Sequence, residues 1–178
     1  MKLIVKEIID KDVEFQNIIK ELIDNETVQK MKNFRQHYET TCFDHCYTVS
    51  YYCYLICKKY NLDYISAARA GMLHDLFLYN WRERQPDRKG LHAFTHGKTA
   101  CKNACGLFDL NEKEKDMIIK HMWPVTVQLP QSLEGLILTF VDKYCAMSEG
   151  VEILRTRLLL RKPLRYIYSF LSMVSVHL

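Results

Sequence analysis

The stretch AGMLHDLFLYN, residues 70–80, sets a histidine and an aspartate side by side in a run that is otherwise apolar. Met72, Leu73, Leu76, Phe77 and Leu78 demand burial, yet an ionised carboxylate buried without a partner is strongly destabilising. Asp75 must therefore be hydrogen-bonded, ion-paired or bound to a metal, and the rest of the chain has to supply that partner. Ala67, Ala68, Ala70 and Gly71, just ahead of the pair, are small enough to let neighbouring helices approach and bring side chains to it.

Working outward, the pattern is helical almost throughout. Apolar residues recur at helical spacing from Asp10 to Ile23, and Asn25 to Phe34 reads as a short helix. Thr41 with Asp44 forms an N-cap signal entering a long helix, Cys42 to Lys59, and Asp63 caps the next, which runs to about Tyr79. Trp81 to Phe94 is polar, holds Pro86 and Gly90, and reads as a long loop of the kind that often carries function. Thr95 opens a helix to Gly106, Asn111 with Glu114 caps another to about Trp123, and Ser132 caps Leu133 to Met147. No strand pattern or repeat competes, so the expected fold is all-α.

The 178 residues, 48% of them hydrophobic, suit one folded domain. The expected division is a body, residues 1–150, and a basic helical tail, residues 151–178. Arg155, Arg157, Arg161, Lys162 and Arg165 against Glu152 account for the whole net charge of +4, leaving the body neutral. A charge so confined does not predict nucleic-acid binding. The apolar end of the tail, LRYIYSFLSMVSVHL, is too short to span a bilayer. It reads as a packed terminal helix or a homodimer contact, with membrane-surface contact the weaker alternative. The N-terminus lacks an apolar signal region, and the 7 cysteines read as reduced, packed thiols of a cytoplasmic protein.

His45, His74, Asp75, His96, His121 and Asp142 fall on five successive helices, each on or near an apolar face. A lone histidine is usually a core imidazole bonded to a carbonyl. Four imidazoles with two carboxylates point instead to helices turning their ligands inward to one metal centre.

The motifs FDHCYTVSYYCY, AGMLHDL, HGKTA, IIKHMW and FVDKY, in the order H…HD…H…H…D, resemble the HD-domain metal-dependent phosphohydrolase superfamily over about residues 40–150. They are most similar to the branch with two extra histidines, which binds two metals and includes bacterial HD-type diadenosine tetraphosphate hydrolases. The resemblance implies an HD-type helical bundle in which His45, His74, Asp75 and Asp142 hold one ion. Asp75 then bridges to a second held by His96 and His121. No lysine follows the pair as in HDIGK, and the GYP motif of cyclic-di-nucleotide phosphodiesterases is missing.

Imidazole with carboxylate suits two divalent transition-metal ions, iron or manganese before other mid-row ions. Such a pair can activate water for attack on phosphorus, so the expected activity is hydrolysis of a phosphoester or phosphoanhydride, with a nucleotide as the phosphorylated small molecule. Lys98 is the expected catalytic and phosphate contact beside Asp75, at what reads as a helix start. Arg82, Arg84 and His92 are the further substrate-binding candidates, while His37 has no assigned place. Two other classes fit the same ligands: a non-catalytic metal-binding or sensory protein, and a di-iron oxygenase.

Overall fold

The computed structural model describes residues 2–37, 40–83 and 90–160. Its helices are α1 (Lys2–Lys11), α2 (Val13–Ile23), α3 (Glu26–Gln29), α4 (Cys42–Lys59), α5 (Tyr64–Leu73), α6 (His92–Cys105), α7 (Glu112–Lys120) and α8 (Leu133–Leu160). The fold is all-α, as expected, apart from one feature. Strands β1 (Arg35–His37) and β2 (Thr40–Thr41) pair antiparallel ahead of α4. They are too short to register as an alternating pattern. No helix among the described residues is long and apolar enough to cross a membrane.

The caps sit where the side chains place them. Thr41 accepts from the Asp44 amide, Asp63 from Ser66, Ser132 from Gly135, and Asn111 and Glu114 form a reciprocal box. Each satisfies an amide that the first helical turn leaves without a partner.

Several boundaries differ from those expected. The helix expected over Asp10–Ile23 is broken at Asp12, whose carboxylate accepts from the Phe15 amide and starts α2 afresh. α5 stops at Leu73 rather than near Tyr79, because His74 caps its end and Leu78 takes a positive φ of 56°, incompatible with helix. α6 opens at His92, ahead of Thr95, after Gly90 at φ 92° and an extended Leu91. The Thr95 hydroxyl instead donates back to the Leu91 carbonyl, at 3.1 Å, from inside the helix. α7 ends at Lys120, before Trp123, and α8 runs past Met147, through the expected boundary at residue 150, to Leu160. Residues 161–178, most of the expected tail, lie outside the described residues.

The core is built on α4 and α5. Phe15, Ile19 and Leu22 of α2 and Met117 and Ile118 of α7 join Cys46, Val49, Cys53, Ala67, Ala68 and Met72 in full burial. The cysteines are free thiols, all but Cys105 buried. Across the α4–α5 crossing the Ser50 hydroxyl donates to the Ala68 carbonyl at 2.6 Å. Arg69 of α5 ties α7 through Glu114, Nε to Oε1 at 2.7 Å.

Gly71 sits at the tightest point of this crossing, where a Cβ would lie 2.7 Å from the Ser50 Cα. Alanine is the better helix former by about 1 kcal/mol, but here the obstacle is backbone, and overpacking of that kind costs about 1–3 kcal/mol. Gly71→Ala is therefore expected to lower stability, read as a reduced urea midpoint at unchanged slope.

Candidate metal centre

His45 stands in the first turns of α4, with His74 and Asp75 where the chain leaves α5. His96 lies in the second turn of α6, His121 caps α7, and Asp142 lies in the middle of α8. All six are buried. Their inward atoms converge. His45 Nε2 is 3.0 Å from Asp142 Oδ1, and His74 Nε2 is 3.5 Å from Asp75 Oδ2 and 3.6 Å from Asp142 Oδ1. Asp75 Oδ1 faces the other way, 3.2 Å from His96 Nε2 and 3.6 Å from His121 Nε2.

The outward nitrogens explain the orientation. Nδ1 of His74, His96 and His121 donates at 2.8 Å to the carbonyls of Gly71, His92 and Ile118 respectively. A carbonyl only accepts, so each Nδ1 carries its hydrogen, and whenever such a ring is neutral its Nε2 lone pair is turned toward the centre. His45 is held from behind by Glu149, Nδ1 to Oε1 at 3.2 Å. His74 and His121 also terminate their helices, so two negative helix ends add to the carboxylates and favour positive charge here.

The titration behaviour follows. Burial opposes charge on His45, but its hydrogen bonds to Asp142 and Glu149 prevail and raise it well above the ordinary imidazole range. Despite burial, His74 is raised by Cys46 and then by the Asp75 charge, and His96 by its hydrogen bond to Asp75 and then by that charge. Burial, then the charge on His96 and His74, lowers His121 to about 3. Asp75 and Asp142 resist burial and stay below the usual carboxylate range because charged imidazoles surround them.

These residues fit a divalent metal. His74 Nε2 and Asp75 Oδ1 are buried without a hydrogen-bond partner, and His96 Nε2 approaches His121 Nε2 to 2.8 Å. Two lone pairs at that distance repel unless a cation, proton or metal, is shared between them. Ligand atoms of His45, His74 and Asp75, of His74, His121 and Asp142, and of Asp75, His96 and His121 form three groups, each within 4.8 Å. The approach of α6 to α7 depends on Gly97, where a Cβ would meet the carbonyl oxygens of Ile119 at 2.8 Å and Ile118 at 2.9 Å.

Two residues at the centre escaped the sequence reading. Gln36 of β1 donates from Nε2 to Asp75 Oδ2, and Glu149 holds His45. Glu149 lies seven residues from Asp142, on the same face of α8, and that spacing was the available signal. Gln36 carried none, since its strand is only three residues long.

The substrate candidates divide. His92 is the first residue of α6, its ring stacked between Trp81 (5.5 Å, 15°) and His96 (4.4 Å, 20°). Arg82 lies over the Trp81 ring at 4.7 Å and donates toward the carbonyls of Arg35 and Gln36. Lys98 is exposed and is not at a helix start, because α6 begins six residues before it. It also points about 200° around the helix from His96. Lys143 packs behind the centre, donating to the His121 carbonyl at 3.0 Å. Arg84 and the side chain of His37 lie outside the described residues.

The family model for the HD domain matches residues 42–147, more than half of the chain and the whole span from His45 to Asp142. The chain belongs to the HD domain family. Members of this family bind divalent metals and are generally metal-dependent phosphohydrolases. Comparison with curated proteins and with solved structures gave no match.

A carboxylate bonded to the far nitrogen of a ligating histidine fixes the ring and raises its basicity. Glu149→Ala is accordingly expected to weaken metal affinity by about 10- to 100-fold with little change in helix content, measured by metal titration and circular dichroism.

Proposed function

We propose that this HD domain holds two divalent ions and hydrolyses a phosphoester or phosphoanhydride bond of a nucleotide. The observation that carries the reading is the split of Asp75. One oxygen faces His74, and the other faces His96 and His121. A carboxylate so placed suits a bridge between an ion on His45, His74 and Asp142 and another on His96 and His121. Nitrogen and oxygen donors without thiolate favour iron or manganese. When bound, such ions would supply electrophilic charge to a phosphoryl group and acidify water.

The chain's own groups do the positioning. Gln36 orients Asp75 from one side, and its strand is held by the Trp81 indole, which donates to the Gln36 carbonyl at 3.3 Å. The Arg82–Trp81–His92–His96 stack forms a wall beside the centre. Arg82, exposed at its outer end, supports an anionic substrate.

Metal analysis of purified variants, followed by a panel of nucleotides that includes dinucleoside polyphosphates, tests the proposal. Asp75→Ala should lose both ions and all turnover. His121→Ala should retain one ion, because the other set is intact, while hydrolysis falls by about 100-fold or more. A folded His121→Ala protein with the wild-type metal count would remove the second ion from the reading.

Lys98→Ala supplies a contrast. Its exposed place across α6 predicts wild-type metal content and KM; a raised KM at unchanged metal content would bring the substrate around that helix.

A further inference from the structure

α8 has two faces. The inner one carries Leu138, Val141, Asp142, Cys145 and Glu149, all buried against the bundle. The outer one carries Leu133, Phe140, Tyr144, Met147 and Val151, which remain 59–71% exposed, with Ile137 partly buried among them. From Leu133 these six fall at steps of four, three, four, three and four, and in the sequence Leu154 and Leu158 continue the rhythm. This alternation of four and three is the pattern of a seam that packs against another helix, and it is not needed for burial within the bundle.

We infer that the outer face of α8 is a dimer interface, paired with the same helix of a second copy of this chain. Three features favour an identical partner. The exposed stripe runs along α8 from Leu133 to Val151, about 27 Å at the usual rise. Its exposed side chains leave on the order of 700 Å² in water, close to the ~800 Å² per partner of a stable dimer and above what monomers usually expose in one patch. The residues flanking the seam from Ile137 to Val151 are Val141, Lys143, Ser148 and Gly150. Lys143, the one charge among them, is turned inward to the carbonyls of His121 and Thr139. Over Ile137 to Val151 two copies would therefore meet without opposing like charges; Arg155 and Arg157, which flank Leu154 and Leu158 in the sequence, lie beyond this stretch. Pairing on this face leaves Asp142 and Glu149, on the opposite side of the helix, facing the centre.

Sedimentation equilibrium of the full chain tests this. The wild type is expected at the mass of two chains in the micromolar range. The double variant Tyr144→Glu/Met147→Glu should sediment at the mass of one chain, its association weakened by about 100-fold or more, with helix content and bound metal unchanged. Val151→Lys, at another exposed position, should act in the same direction and guards against a folding defect in the double variant. A wild type of one-chain mass up to submillimolar concentration would overturn the dimer, whatever else covers the stripe, residues 161–178 included. So would a folded double variant that still sediments as two chains.

Discussion

The carboxylate of Asp75, 2% exposed among four buried imidazoles, sets the terms on which the rest of the chain folds. A buried negative charge has to be matched at short range. The matching groups come from α4, α6 and α7, so these helices must converge wherever the end of α5 puts Asp75. The tight α4–α5 crossing, the Arg69–Glu114 tie and the Gln36 contact through β1 all bring groups to that point. The ion-binding potential of the site and the compactness of the bundle thus share one origin.

Orientation is imposed from behind. Three imidazoles are steered by backbone carbonyls and the fourth by Glu149. In two of the three carbonyl cases the acceptor lies three residues back in the helix that the histidine ends. One short segment therefore finishes the helix, satisfies a terminal carbonyl and aims a ligand nitrogen. The centre needs little machinery beyond the ends of the helices that form it.

Much of this was legible in the sequence because the strongest signals are local. The caps at Thr41, Asp63, Asn111 and Ser132 depend on a side chain and an amide three residues apart, and the structure retains each. The six ligand candidates could be picked out because charge in an apolar helix is conspicuous. Harder to see were features decided by competition between local and distant bonds. Asp12 and Thr95 both look like helix starters, but the first starts one inside an apolar pattern that runs across it. The second lies within a helix already begun. The early end of α5 arises from His74 turning back on its own helix, and apolar periodicity, which continues through Leu76 and Phe77, hides it. Gln36 was invisible because nothing in its neighbourhood foretells contact with a residue 39 positions away.

Gly97 shows how far the centre depends on a residue with nothing to donate. One of the two oxygens that a methyl group there would strike, that of Ile118, is the same oxygen that orients the His121 ring. His96 and Gly97 therefore act as one dipeptide unit, the first contributing a nitrogen and the second the vacancy that lets a neighbouring helix terminus come to meet it. The gap between the two imidazoles is gauged by a hydrogen atom, and the capacity of this half of the site is written in a steric allowance outside the ligand set.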